Sequence, residues 1–571
     1  MLSKRRFLAA YAALASLRVF VAFTSLSSIH PDEHFQNPEI AAGVYFSYSG
    51  PGDGLLRTWE WTGDAPCRSI APVLGSSGRA FQVLHLLLGP DPPATTLFAA
   101  QRAVMLFLSF SIDFMLWRVS RRTRLSLLLF GSSPVVFTFI LRPFSNSLET
   151  LFLAAAHLQL YDVQKRVAPV ALAGLGGVLA AGIFTRITFT AFALPIVVQT
   201  VVGLAHRVRP RSSTLSSLLR LVSSGLPAVV GFVLSSLLFA GVDTAYFRDG
   251  DTSLAAALNA LATPGSLVLT PLDLLRYNLS SDNLAEHGLH PRWIHAVVNL
   301  PMLFGAGLAV VGSAVVALLP RRGADLKRED RGRLFFFLAS IAVPLLLLSV
   351  LPHQEPRFLV PLIVPFALLA PYTPLYRSAT RRSARGRKAV WALWLIHSLL
   401  FTVVFGYLHQ GGLLPAIFAV NEELRDPTTQ LGGAGEVDVV FWRTFMPPRH
   451  LLLPLAREGS SVPAVRVTDL AGAPFATLLS TLSSAKLARS SRVVLVAPAY
   501  AVEAHNLTCL PSSTFPIPPA APKPPVTRKE PCVAPLFPTK GSFGVHVDMD
   551  RLADLTRSRW ETVGVGVYTV E

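Results

Sequence analysis

Residues 27–43 read SSIHPDEHFQNPEIAAG, directly after an apolar run that starts near Phe7. Two acids, Asp32 and Glu33, stand side by side between His30 and His34. Taken alone, the cluster admits a metal box, a proton relay, a general base or ordinary loop solvation. The run before it decides the fold. MLSKRRFLAAYAALASLRVFVAF places Lys4, Arg5 and Arg6 ahead of about 20 apolar residues, enough to cross a bilayer. A cleaved signal peptide has the same basic start but a shorter apolar core. An uncleaved first transmembrane helix is therefore the better reading.

The composition extends that reading to the whole chain. Of 571 residues, 51% are hydrophobic and only 15% are charged. This excludes an ordinary soluble domain and predicts an all-α polytopic membrane protein. The net charge of +17 suggests nucleic acid in a soluble chain. Here the basic residues stand in short runs between apolar stretches, with no basic face interleaved with aromatics, so nucleic acid is not an expected partner. Stretches of spanning length fall near 8–27, 96–117, 125–141, 148–164, 168–184, 188–205, 217–240, 296–319, 334–351, 358–376 and 389–408. They predict about 11 transmembrane helices. Arg121, Arg122 and Arg124 follow the second stretch; Lys165 and Arg166 the fourth; Arg207, Arg209 and Arg211 the sixth. Arg321, Arg322, Lys327 and Arg328 follow the eighth, and six basic residues between Arg377 and Lys388 the tenth. With a cytosolic N-terminus, every one of these runs lies in the cytosol.

The opposite face then carries a loop over 28–95, a loop over 241–295 and a tail over 409–571, so the chain divides into a membrane module, 1–408, and a C-terminal domain, 409–571. The sequons at Asn278 and Asn506 fall on that face as candidate glycosylation sites. In the tail, VDVVFWRTF (437–445) and RVVLVAP (492–498) are strand-like, with the helix-like ATLLSTLSSAKLA between them. They predict a small α/β domain, interrupted by an extended proline-rich loop over 510–538. Cys67, Cys509 and Cys532 all lie on this face, where an oxidising compartment permits disulfides. Cys509 with Cys532 is the natural pair. No metal-type cysteine spacing occurs, so no metal site is expected.

Polar clusters concentrate on the same face. His30–His34 follows the first span; Arg142, Asn146 and Glu149 the third; Arg186 the fifth. His287, His290 and Arg292 precede the eighth. His353, Glu355 and Arg357 follow the ninth, and His409 the eleventh. Charges at a membrane edge are costly and mark function, although loop ends are polar in any membrane protein. Arginines with few acids suit an anionic ligand, because guanidinium pairs bidentately with phosphate. Arg357 and Arg186 are the candidates. Ion pairs of Arg357 with Glu355, or of Arg142 with Glu149, are the plainer reading, and both can hold together. Arg18, Asp113 and Arg220 lie in or near spans, where snorkelling or a helix–helix pair is the default.

His30-Pro-Asp-Glu-His-Phe-Gln together with His353-Gln-Glu-Pro-Arg-Phe-Leu-Val-Pro resembles the dolichyl-phosphate-mannose-dependent mannosyltransferases, glycosyltransferase family 22, which have a GT-C fold. Further details resemble the branch that adds a fourth, side-branch mannose to GPI precursors. They are Thr58-Trp-Glu-Trp61, Pro66-Cys-Arg-Ser69, Arg142-Pro-Phe-Ser-Asn-Ser, His287-Gly-Leu-His-Pro-Arg and Phe441-Trp-Arg-Thr-Phe-Met-Pro-Pro. Thr185-Arg186-Ile-Thr departs from the expected Arg-Pro-Thr but keeps the arginine. The resemblance implies α-1,2 transfer of mannose from dolichyl-phosphate mannose to the third mannose of a GPI glycolipid precursor. It also implies an endoplasmic reticulum membrane protein with its active site and C-terminus lumenal.

An inverting displacement needs a base, and a carboxylate suffices. Asp32 is the expected base and Glu33 the alternative, because adjacent side chains on a helical turn diverge by roughly 100° and do not share one hydroxyl. Arg357, His353 and Arg186 are assigned to the donor phosphate, and Glu355 to holding Arg357. His34, Arg142, Asn146, Glu149, His287, His290, Arg292 and His409 are expected in support, with Trp59 and Trp61 stacking on sugars. No cofactor or metal is implied. The rivals are another mannosyltransferase using the same donor, for the third GPI mannose or an N-glycan precursor, or a lipid or solute transporter. The large loops and the absence of matching half-repeats weigh against a transporter. Phe81–Leu88 is apolar enough to lie along the membrane.

Overall fold

The computed structural model describes residues 3–48, 54–120, 123–166, 168–207, 214–263, 265, 267–279, 288–319, 327–377, 381–455, 462–487, 491–509, 531–552 and 562–571. His287, most of the proline-rich loop and Arg121, Arg122, Arg209, Arg211, Arg321 and Arg322 lie outside them. The chain is a multi-pass membrane protein with a small sheet at its C-terminus.

Among the described residues, seven helices are long and apolar enough to span: Lys4–Thr24, Ala94–Val119, Phe189–Arg207, Leu215–Asp249, His295–Leu318, Arg328–Val350 and Ala384–Leu408. Pro169–Thr185 and Pro356–Tyr372 are shorter apolar helices. The expected count of about eleven is thus reached only if weaker segments cross as well. The physical reasons are local. The run 125–141 breaks after Gly131, before Pro134, into the helix Thr123–Gly131 and a wide turn, Val136–Ile140. The helix Ser145–Lys165 has spanning length but carries Glu149, His157 and Asp162. The run 358–376 opens as a tight turn, Pro356–Leu362, with Pro361 inside it.

That proline-rich run is apolar on every side, and such a segment belongs in a core. Leu359, Val360, Ile363 and Val364 are fully buried at the centre of the largest cluster, among Phe144, Phe189, Leu303 and Trp394. The periphery is the reverse. Leu218, Leu219, Val222, Leu226, Val229 and Leu234 stand exposed along the helix Thr214–Asp249, as a lipid-facing surface requires. That helix meets Pro169–Thr185 at backbone distance: a Cβ on Gly176 would lie 1.9 Å from the Ala228 carbonyl oxygen, and one on Gly231 would lie 2.1 Å from that of Ala173. Small residues permit this approach where helices pack in lipid. Arg18 and Asp113 form a helix–helix pair at 2.7 Å, with the Tyr11 hydroxyl donating to the same Asp113 oxygen at 2.6 Å.

The C-terminal sheet comprises β1 (Glu436–Phe441), β2 (Ala464–Asp469), β3 (Ser491–Pro498), β4 (Val533–Pro535) and β5 (Val565–Val570), in the order β2-β1-β3-β5-β4. The first three run parallel; β5 is antiparallel to both its neighbours. The helix Phe475–Leu487 packs one face through Leu478 and Leu482. The other face, with Val437, Val439, Phe441 and Val567, shares a core with Ile40, Phe46, Trp61, Ile70 and Phe81 of the first loop. Loop and sheet therefore form one body above the bundle. Cys509 and Cys532 are disulfide-bonded, with Cα atoms 4.9 Å apart. Phe81–Leu88 falls in the helix Arg79–Leu88, whose Val83, Leu86, Leu87 and Leu88 are exposed while Phe81 and Leu84 are buried.

Candidate active site

Pro31 opens a one-turn helix, Asp32–Phe35, and the helical turn sends the two adjacent acids in different directions. Glu33 points into the protein and is fully buried. Arg142 Nη1 donates to its carboxylate oxygens at 2.9 and 3.2 Å. Arg142, also fully buried, donates from Nη2 to Ser25 Oγ and Ser27 Oγ, each at 2.7 Å, and from Nη1 to the Ser27 carbonyl. His34 Nε2 lies 3.0 Å from Glu33 Oε1. Burial pushes the Glu33 carboxyl up, but Arg142 and His34 outweigh it and hold it far below the usual carboxylate range.

Asp32 faces the opposite way, with its side chain 25% exposed. Its Oδ2 accepts from Arg357 Nη1 and Gln36 Nε2, and His30 Nδ1 lies 3.2 Å from Oδ1. Arg357 arrives from 325 residues away in sequence. Its Nε and Nη2 grip the two oxygens of Glu355, the latter at 2.8 Å. Glu355 Oε1 also accepts from His353 Nε2 at 2.7 Å. The early and late motifs thus meet in one chain of charge: His30, Asp32, Arg357, Glu355, His353. Burial again raises both acids, and Arg357 again wins, so Asp32 and Glu355 sit well below the usual carboxylate range. Burial pulls the His353 imidazole down, but Glu355 outweighs it and lifts the ring above its ordinary value. That direction agrees with its second contact, Nδ1 donating to the Gly288 carbonyl at 3.2 Å.

Gln354 fixes this motif in place. Its Oε1 accepts from the His295 backbone at 2.9 Å, and its Nε2 donates to the carbonyls of Ser349, Leu351 and Arg292 at 3.0, 3.1 and 3.3 Å. His290 belongs to the same clamp, its ring centroid 5.9 Å from that of His353. The Arg292 carbonyl is used while the residue itself is exposed.

A second polar group stands beside the first. Glu149 Oε1 accepts from Thr188 Oγ1 at 2.9 Å, and its Oε2 accepts from Asn146 Nδ2 at 3.3 Å. Arg186 Nε lies 3.8 Å from Glu149, and its guanidinium packs over the Phe358 ring. Asn146 is fully buried, and its Oδ1 has no hydrogen-bond partner among the described residues. The Arg142–Glu149 pair expected from their spacing is not the one formed: Arg142 meets Glu33, and Glu149 lies nearest Arg186.

Other expected site residues lie elsewhere. Trp61 is buried in the loop core beside Phe247, and Trp59 stacks on Tyr277 with centroids 4.1 Å apart. Both rings pack protein. His409 is buried at the junction with the C-terminal sheet, against Phe405 and Phe445, and the neighbouring Gln410 amide donates to the Val547 carbonyl at 3.0 Å. Asn278 is the next-to-last residue of the helix Thr270–Leu279, and Asn506 is exposed in a turn.

The sequence reading missed Gln36, which shares the Asp32 oxygen, and the buried Glu39–His450 pair at 2.6 Å, which ties the first loop to the segment after β1. It also gave no role to Glu60 and Arg68. Nothing in the local spacing marks them, except that both lie in the motifs at 58–61 and 66–69.

A profile of the Alg9-like mannosyltransferase family matches residues 9–454. The chain is 31% identical over 530 residues to GPI mannosyltransferase 4 of Aspergillus oryzae, covering 88% of this chain and 89% of that one. It is 33% identical over 492 residues to human GPI alpha-1,2-mannosyltransferase 4, covering 80% and 77%. Among solved structures, ArnT from Cupriavidus metallidurans, bound to undecaprenyl phosphate, aligns over 99% of this chain and 98% of its own with TM-score 0.49 and 11% identity.

Proposed function

The chain belongs to the Alg9-like mannosyltransferase family, and from that premise we propose that it adds the fourth mannose to a GPI-anchor precursor. The donor is dolichyl-phosphate mannose and the bond formed is α-1,2, to the third mannose. The relatives that span most of this chain carry that activity in their names, which supports the acceptor. The fold is of GT-C type. The protein works in the endoplasmic reticulum membrane with the Asp32–Arg357 face and the C-terminal domain lumenal.

The observation that carries the chemistry is the divergence of the two acids. Glu33 is closed off by Arg142, whereas Asp32 is part-exposed beside a guanidinium. The donor is β-linked and the product α-linked, so a single displacement inverts the anomeric carbon. The acceptor 2-hydroxyl attacks as the bond to phosphate breaks, and Asp32 takes the hydroxyl proton as oxocarbenium character develops. Arg357, with His353 behind Glu355, faces the charge that appears on the leaving phosphate. Asp32 is ionised throughout the neutral range and so always available as an acceptor of that proton. The leaving group is already an anion held by arginine, so the step calls for no metal or cofactor.

The test offers labelled dolichyl-phosphate mannose to the purified protein in lipid nanodiscs, with defined GPI acceptors of three and two mannoses. Label on the three-mannose acceptor, removable by an α-1,2-mannosidase, is the expected result. Label on the two-mannose acceptor assigns the third-mannose step instead; label on neither removes the proposal.

A further inference from the structure

Among the described residues, Arg68 and Arg186 each leave one guanidinium nitrogen buried without a hydrogen-bond partner. Arg68 is 6% exposed and Arg186 7%, and in both it is Nη1 that lacks a hydrogen-bond partner. Arg68 donates from Nε and Nη2 to Glu60 Oε1 at 2.9 and 2.5 Å. Arg186 donates to Thr188 Oγ1 at 3.3 Å, lies 3.8 Å from Glu149 and packs over the Phe358 ring. The helix turn Ile70–Val73 that follows Arg68 packs against the helix Pro169–Thr185, whose C-terminal cap is Arg186, and burial first and Arg68 second push the Arg186 guanidinium down, to about 10. Arg357 contributes to the same repulsion. Burying like charges together is unfavourable. Leaving a buried charged donor without a hydrogen bond costs more than an ordinary lost hydrogen bond. Two such donors on packed elements suit one shared anionic ligand.

The turn carrying Arg68 is built to hold still. Asp243, fully buried, accepts from Ser69 Oγ at 2.8 Å, from the Ile70 amide at 2.9 Å and from Thr270 Oγ1 at 2.9 Å. The Cys67 amide donates to the Glu60 carbonyl at 2.9 Å, so the loop holding Glu60 is stitched to the turn it pairs with. Arg357 differs in that each of its nitrogens already has a carboxylate partner, Asp32 or Glu355, so it meets the leaving phosphate chiefly through its charge.

We propose that Arg68 and Arg186 together form a phosphate subsite beside the Asp32–Arg357 pair, filled by a phosphate ester of one of the two lipid substrates. A tetrahedral oxyanion offers several acceptors at once, which suits two guanidiniums presenting buried N–H groups. Arg68 is thereby a binding residue of the transfer reaction. The inference rests on the function proposed above and names the part of the site that holds charge. The ester is either the donor's dolichyl phosphate or a phosphate on the GPI acceptor.

Arg68→Gln, Arg68→Lys and Arg186→Gln are compared with the unaltered protein in nanodiscs. Apparent KM for donor and acceptor, kcat and inhibition by dolichyl phosphate are measured for each. If the donor fills the subsite, Arg68→Gln raises donor KM and weakens dolichyl phosphate inhibition at least tenfold, with acceptor KM unchanged. If the acceptor fills it, only acceptor KM rises. Both outcomes support the subsite, and Arg68→Lys recovers part of either loss because it keeps the charge without the fork. A fall in kcat alone, or no change beyond twofold in both KM values, overturns it. So does loss of the folded protein in both Arg68 variants, which makes the residue a folding determinant. A failed function is told apart at once: the unaltered protein then transfers no mannose to any acceptor.

Discussion

Glu33→Gln and Asp32→Asn are adjacent, nearly isosteric changes with opposite expected outcomes. Glu33 and Arg142 are both fully buried and bonded at 2.9 and 3.2 Å. Neutralising Glu33 leaves the Arg142 charge without the one carboxylate that pairs with it among the described residues. Breaking a buried pair from one side costs about 3–5 kcal/mol. The Ser25 and Ser27 contacts survive, so the lower half of that range is expected. At about 1.4 kcal/mol per factor of ten, the open state then gains roughly two orders of magnitude. Asp32 is 25% exposed, and Arg357 keeps both bonds to Glu355 without it. Asp32→Asn therefore costs about 1–2 kcal/mol, while removing a general base slows turnover about 10²–10⁴-fold. The assay pairs residual fold after stepped heating, read by limited proteolysis in nanodiscs, with mannosyl transfer at a temperature where all variants are folded. Glu33→Gln is expected to melt early yet transfer when folded; Asp32→Asn is expected to be stable and nearly inactive. A Glu33→Gln protein as stable as the unaltered one but inactive, beside an Asp32→Asn protein keeping more than a tenth of the rate, would refute the assignment and exchange the two roles.

The His353 imidazole is raised above its ordinary value by Glu355, despite burial. Its contribution to stability is therefore complete below about pH 6.5, the unfolded value, and is lost as pH rises through the folded value. Thermal stability should decline on the alkaline side, and His353→Gln should flatten that limb. Asp32, Glu33 and Glu355 are all lowered, so their contribution is present above about pH 4 and fades only below it. A melt series from pH 7 to 5 should accordingly show no loss from these acids. Gly176→Val places a Cβ 1.9 Å from a backbone oxygen and is expected to destabilise by at least about 1–3 kcal/mol. Gly312→Ala, with nothing within 4 Å of the added carbon, should be neutral or gain about 0.5–1 kcal/mol; proteolysis of the two variants compares them directly. Transfer in the presence of EDTA should proceed at the unaltered rate, because the proposed displacement uses arginine and carboxylate alone.

What the sequence made legible divides along a physical line. Periodicity and apolar length are local properties, so the helical bundle, two of the five strands and the position of the acidic pair could be read directly. β5 could not: its partners lie far away in sequence, and the six residues from Val565 look like many surface strands. The count of about eleven goes beyond the seven long apolar helices among the described residues where Pro134 and Pro361 divide apolar runs and Glu149 adds a charge to a continuous helix, because hydropathy averages over such residues. The 100° step of a helix predicted that Asp32 and Glu33 would part, but no local rule says which arginine each would meet. The nearer guess paired Arg142 with Glu149, seven positions on, whereas folding paired it with Glu33, 109 positions back. Arg68 is the sharper case. As sequence it is one loop arginine near an acid, the commonest of surface arrangements. Its burial, its unpartnered nitrogen and its nearness to Arg186 arise only when the first loop closes over the bundle and Asp243 pins the turn after it. A charge acquires chemical meaning from what surrounds it, and those surroundings come from chain segments far from it in sequence. For that reason the acidic pair at Asp32 and Glu33 was visible in the sequence before the surroundings of Arg68 were.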